Sequence, residues 1–354
     1  MVFRRAQSLA ASSVDLLVHR LALSRGARSR ARSTTESLGP EARRRGLEEV
    51  AAFYERHEPE LFPAPPPSPI EASETQLPEG GVRVELSWTS AHRSLDPAQR
   101  PRLDDDERNR RAVARLYLGG GRPRPAVILV HGYLGGQPAF EERAFSVPFL
   151  RARGLDVALA VLPMHAARGT VSRFGLTRPR FPSSDPRLTI EGFRQAMTDL
   201  RTVVAHLHER GATAVGAMGM SLGGYSAALL GAVEPRLAFV VPMIPLASIA
   251  DFARADGRYV GTATQQHEQH EALEAAYRVV SPLARPSLVP SAGRLVIGAR
   301  ADRITPPEHA EKLAAHLGCE IEWLHGSHLV QLGRRRAFAK VMRMLEGLDL
   351  VPRA

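Results

Sequence analysis

The sequence predicts an α/β protein with a mostly parallel sheet flanked by helices on both faces. Three observations carry that expectation. Short, continuously apolar runs recur at Ala126–Val130, Val157–Leu162, Ala214–Met218, Leu237–Val241, Leu295–Gly298 and Ile321–Leu324. Runs of this kind, without alternation, read as strands buried on both faces. Helical patterns separate most of them: Phe193, Met197, Leu200, Val204 and Leu207 share one face, and Phe338, Val341, Met342 and Leu345 another. Finally, 354 residues with 44% hydrophobic and 24% charged side chains suffice for one large domain plus an appendage and exclude wholesale disorder.

The appendage comes first. Val14, Leu17, Val18 and Leu21 stand at the spacing of an amphipathic helix, and Leu47, Val50, Ala51 and Tyr54 repeat it. Both helices are expected to dock on the main domain as a basic extension over residues 1–62. Pro63, Pro65, Pro66, Pro67 and Pro69 then predict a stiff linker over 63–80. The main domain is expected over 81–350. Val82, Val84 and Leu86 alternate as in a half-buried strand, and Ala112–Leu118 reads as another after the charged turn Asp104–Arg111. Gly119, Gly120 and Gly121 close it without a following GK[ST], which argues against a phosphate loop. Residues 247–290 separate two strands by more than a tight connection requires. They predict a lid-like insertion whose Phe252, Tyr259 and Tyr277 line or gate a binding site.

Charge is unevenly placed. Residues 1–45 hold ten arginines against Asp15, Glu36 and Glu41, which is +7 of the net +10. The nearly neutral remainder disfavours a nucleic-acid-binding body. The Arg-rich face offers a peripheral membrane or partner contact instead. Of the 47 basic residues only Lys312 and Lys340 are lysine, a skew of coding composition more than of function. A single cysteine, Cys319, excludes an intrachain disulfide and a thiolate metal cluster and points to a reducing, cytoplasmic setting. An organellar transit peptide is the alternative, because residues 1–33 are rich in Arg and Ser with one acid. No run of about 18 apolar residues supports a transmembrane helix.

The strongest chemical signal is Gly219-Met220-Ser221-Leu222-Gly223, followed by Gly224, between a buried strand and a small-residue helix. A serine on so tight a turn adopts a strained backbone and projects its hydroxyl outward; glycines flank it because a Cβ would collide with neighbouring chain. The hydroxyl needs a base to remove its proton. Asp302 lies just beyond the strand Leu295–Gly298, and Gly326-Ser327-His328 just beyond Ile321–Leu324. The order Ser221, Asp302, His328 suits a nucleophile, an acid and a base topping strands of a parallel sheet. His325 is a rival base and Asp251 a rival acid. A fourth element, Val130-His131-Gly132-Tyr133-Leu134-Gly135-Gly136, follows another buried strand. The N–H groups of Tyr133 and Leu222 are the expected oxyanion donors, with His131 shaping the loop.

These four motifs, covering roughly residues 110–347, resemble the α/β-hydrolase superfamily. The G-C-E-I-E-W-L-H-G-S-H ending and the L-P-M-H-A-A-R segment look like a sparsely characterised branch of abhydrolase-domain proteins. The resemblance implies the α/β-hydrolase fold and a serine hydrolase. Such an enzyme cleaves a carboxylic ester or thioester through an acyl-enzyme, with neither metal nor organic cofactor. Acyl transfer by the same residues is one alternative; a non-catalytic scaffold binding a partner through its basic arm is another. His165 and Arg168, past a strand end, are candidate substrate-binding residues; Arg168 either holds a substrate carboxylate or phosphate or, as the preferred reading, simply pairs with an acidic neighbour. The stretch His267-Glu268-Gln269-His270-Glu271 is not H-E-x-x-H, so no zinc site is expected. Cys319 reads as a small buried residue.

Overall fold

The computed structural model describes Asp15 and residues 38–171 and 177–353. Nine strands form one sheet: β1 (Glu71–Gln76), β2 (Val82–Thr89), β3 (Arg111–Leu118), β4 (Ala126–Val130), β5 (Asp156–Ala160), β8 (Val215–Met220), β9 (Leu237–Met243), β10 (Val296–Ala299) and β11 (Ile321–Leu324). Between β5 and β8 a separate ribbon pairs β6 (Thr170–Val171) with β7 (Thr177–Arg178). The order across the sheet is β1-β2-β3-β5-β4-β8-β9-β10-β11. From β5 onward every neighbour is parallel, whereas β1, β2 and β3 pair antiparallel and β3 also runs antiparallel to β5.

The apolar runs are continuous because the sheet is covered on both sides. Along β4, Ala126, Ile128 and Val130 enter one core while Val127 and Leu129 enter the other. The first core is closed by the helices Pro186–Glu209 and Leu222–Val233, the second by the helix Arg334–Gly347 with Phe338, Val341, Met342 and Leu345 inward. Asp185 fixes the start of Pro186–Glu209 by accepting from the N–H groups of Arg187 and Leu188, a cap contributing about 1 kcal/mol. All five residues expected on that helix's inner face are buried.

Two expectations need correction or extension. The linker 63–80 is not all linker, because β1 lies within it and pairs with β2 from Glu71↔Ser87 to Gln76↔Val82. Every residue of β1 is exposed, so this edge strand is held by its backbone ladder and carries no apolar alternation. The helix Pro40–Arg56 docks as expected, burying Val50, Ala51 and Tyr54. The Tyr54 hydroxyl donates to Glu191 Oε1 at 3.0 Å, and Arg194 and Arg201 donate to the carbonyls of Glu60, Leu61, Phe62 and Pro63. The helix expected near Val14–Leu21 lies outside the described residues except for Asp15.

The insertion 247–290 is helical, with Ile249–Ala255 and Ala263–Tyr277. The second helix packs against Pro40–Arg56, and Arg278 pairs with Glu55 at 2.8 Å. Tyr277 joins the main core, the half-buried Phe252 packs against it, and the Tyr259 hydroxyl donates to the Ala250 carbonyl. No helix among the described residues is long and apolar enough to cross a membrane.

Candidate active site

Strand β8 ends at Met220, and Ser221 stands between it and the helix Leu222–Val233 with φ 56° and ψ −114°. That conformation lies outside the regions open to an ordinary L-residue, and holding it costs about 1–3 kcal/mol. The surrounding chain enforces it. Ser221 N–H donates to the Met243 carbonyl at 3.0 Å, and Leu246 N–H donates to the Ser221 carbonyl at 3.1 Å, tying the turn to the end of β9. A Cβ on Gly219 would lie 2.0 Å from the Gly223 carbonyl oxygen, and one on Gly223 would lie 2.0 Å from that of Val130. Both positions therefore require glycine. The Ser221 side chain does not cap the helix, and no hydrogen bond joins it to His328 among the described residues.

The loop after β4 lies against this turn: a Cβ on Gly132 would be 3.5 Å from that of Ser221. His131 shapes the loop. Its Nε2 accepts from Leu162 N–H at 3.0 Å, which leaves Nδ1–H to donate to the Gly132 carbonyl at 2.7 Å. Complete burial pushes its pKa down to about 3, so the ring is neutral. Gly136 adopts φ +99°, and Glu141 accepts from its N–H at 2.8 Å. The N–H groups of Tyr133 and Leu222 have no acceptor among the described residues.

The loops that follow β10 and β11 meet at the same end of the sheet. Asp302, 2% exposed, uses Oδ1 to accept from the N–H groups of Ile304 (2.9 Å) and Thr305 (2.8 Å). Its Oδ2 lies 2.8 Å from His328 Nδ1. Thr305 Oγ1 sits among the Ile244 carbonyl (3.0 Å), Asp302 Oδ2 (3.1 Å) and His328 Nδ1 (3.1 Å). Thr305 was not singled out from sequence; its offset of three from Asp302, typical of a local side-chain turn, was the available signal. A carboxylate on Nδ1 fixes the imidazole with Nε2 unprotonated and available as a base.

The rivals are engaged elsewhere. Asp251 pairs with Lys312 and lies 3.1 Å from His270. His325 donates its backbone N–H to the Leu332 carbonyl, and its ring lies beside Gly333. Asp251, His270 and Glu274 bring ligand-type atoms within 4.8 Å of one another. Lys312 already neutralises Asp251, and Ser248 hydrogen-bonds Glu274.

Arg168 is not placed to hold a substrate. Its guanidinium is buried, donates to the carbonyls of Asn109 and Val161, and pairs with Asp199 at 2.8 Å. His165 is equally buried, with Nδ1–H donating to the Pro163 carbonyl at 2.8 Å and its ring against those of His131 and Tyr133. It therefore buttresses the loop after β4 from behind; burial pushes its pKa down to about 4. Cys319 is half-buried, and burial raises its thiol pKa to about 11.

No family model matches the chain. Two uncharacterized proteins of Mycobacterium tuberculosis, from two strains, are each 32% identical over 219 residues, or 60% of this chain and 52% of theirs. The chain thus spans about half the length of the curated relatives it matches. Among solved structures it is similar to an acetyl xylan esterase from Paenibacillus sp. R4, with TM-score 0.55 and 15% identity over 86% of this chain and 93% of that one. Acetyl xylan esterase 1 from Thermoanaerobacterium sp. is similar too, with TM-score 0.55 and 16% identity over 85% of this chain and 98% of that one. With the strand order and the antiparallel pairing of β3 with β5, these likenesses give the chain the α/β-hydrolase fold.

Proposed function

We propose that the protein is a serine hydrolase of carboxylic esters or thioesters, with Ser221 as nucleophile, His328 as general base and Asp302 as its orienting acid. The single observation that supports this best is the Asp302–His328 contact at 2.8 Å, formed at the ends of β10 and β11, in the same parallel sheet whose β8 ends in a serine held at φ 56°. Thr305 stabilises the pair by bridging it to Ile244, in the connection that also holds the Ser221 turn.

In this reading Ser221 Oγ attacks the ester carbonyl carbon while His328 Nε2 takes its proton. Negative charge collects on the former carbonyl oxygen, where the Tyr133 and Leu222 N–H groups are the proposed donors; each such donor is worth about 3–4 kcal/mol. Collapse expels the alcohol or thiol, which leaves with the proton from His328. Water then attacks the acyl-serine, delivers a proton to His328, and the acid leaves as Ser221 recovers its hydrogen. Asp302 stays ionised throughout and stabilises the imidazolium.

The test is hydrolysis of p-nitrophenyl and thioester substrates of graded acyl length by the wild type, Ser221→Ala and His328→Ala. Turnover by the wild type that is abolished in both variants is expected. Turnover retained by Ser221→Ala would overturn the assignment.

A further inference from the structure

Asp15 has helical backbone geometry within the N-terminal extension, and its side chain is fully buried. Its carboxylate reaches both loops of the proposed acid–base pair. Oδ1 accepts from Ser327 Oγ at 2.9 Å and from Leu329 N–H at 3.0 Å. Oδ2 accepts from His328 N–H at 2.8 Å and, more weakly, from Arg303 N–H at 3.4 Å. Arg303 follows Asp302 directly, so one side chain ties the acid loop to the base loop.

The base loop needs such an acceptor. Ser327 N–H donates to the Val330 carbonyl at 2.9 Å, Val330 N–H donates to Ser327 Oγ at 3.2 Å, and a Cβ on Gly326 would lie 1.8 Å from the Val330 oxygen. A turn wound this tightly points the successive N–H groups of His328 and Leu329 at the Asp15 carboxylate, an arrangement that favours an anion. Buried N–H groups without an acceptor are rare because they are costly. Apolar contact alone would serve to dock an appendage. A buried carboxylate aimed at the backbone of the residue bearing the base does something more specific.

We propose that Asp15 is a positioning residue for His328, so that the N-terminal extension completes the active site. The carboxylate fixes the backbone from which the imidazole projects, and with it the reach of Nε2 toward Ser221. The catalytic half of this inference rests on the triad reading above; the structural half does not.

The experiment uses full-length Asp15→Asn, which keeps the volume but faces an NH2 toward N–H donors, together with Asp15→Ala. Relative to wild type, kcat for ester hydrolysis is expected to fall about 10- to 100-fold, as for loss of an outer partner that orients a reactive side chain, while KM stays unchanged. Amide hydrogen exchange should accelerate at Ser327–Leu329 and remain slow in β8 and β9. Wild-type kcat with wild-type exchange in Asp15→Asn would overturn the proposal. So would exchange accelerated throughout the sheet with kcat lost only in proportion to unfolded protein, since that marks a fold anchor. A wild type inactive on every ester would instead sink the hydrolase reading, and exchange at Ser327–Leu329 would then decide alone whether Asp15 holds the loop.

Discussion

Replacing Asp302 with Asn changes one oxygen to an amide nitrogen, and the surrounding hydrogen bonds dictate which one. The Ile304 and Thr305 N–H groups, at 2.9 and 2.8 Å, both point at Oδ1. The asparagine must place its carbonyl oxygen there, because an NH2 group would face two donors. Its NH2 is thereby turned toward His328 Nδ1, where the carboxylate oxygen stood at 2.8 Å. An NH2 donating to Nδ1 forces the proton onto Nε2, which then has no lone pair to receive hydrogen from Ser221. Loss of the correct tautomer in a serine triad costs about 10⁴ in kcat, equivalent to about 5.4 kcal/mol of transition-state stabilisation. The assay is steady-state hydrolysis of a p-nitrophenyl ester, with circular dichroism to show that the fold is kept. A folded Asp302→Asn protein within tenfold of wild-type kcat would refute the reasoning.

Acid should destabilise the protein through its buried imidazoles. His131 and His165 titrate at about 3 and about 4 in the folded chain, against an ordinary 6.5. Below pH 6.5 the unfolded chain binds protons that the native state refuses, so stability falls with pH, by about 2 kcal/mol per residue at pH 5. Urea denaturation near neutrality and at pH 5 measures this, and His131→Gln should flatten the slope; equal midpoints at both pH values would contradict it. Arg168→Met should leave Asp199 buried without its cation and destabilise the fold by about 3–5 kcal/mol, with KM unaffected. A raised KM at unchanged stability would restore Arg168 to the substrate.

What the sequence revealed depended on whether a residue's task was local. The β4 run Ala126–Val130 was legible to the residue because a strand buried on both faces must be apolar throughout. Ser221 was legible because its glycines answer clashes within the turn and with the adjoining strand. Strand β1 was not, since Glu71-Ala72-Ser73-Glu74-Thr75-Gln76 is exposed along its whole length and held by backbone pairing. Arg168 was legible only in part. Its position after a strand end allowed a cleft as well as an acidic partner, and a short 3-10 turn at Ala166–Arg168 folds it inward beneath Asn109, where it pairs with Asp199. Asp15 was one acid in an arginine-rich arm, and nothing local marks it. Its task appears only when the chain brings it to Ser327–Leu329. The same holds for Thr305, whose bonds to Ile244, Asp302 and His328 join separate segments.

The most direct measurement is covalent capture of the nucleophile. The native protein is treated with a fluorophosphonate, digested, and its peptides mapped by mass spectrometry. A single adduct on Ser221, abolished in Ser221→Ala and strongly slowed in His328→Ala, is the predicted result. An unmodified Ser221 in folded protein, or an adduct that forms equally fast without His328, would contradict the claim that this imidazole activates this hydroxyl.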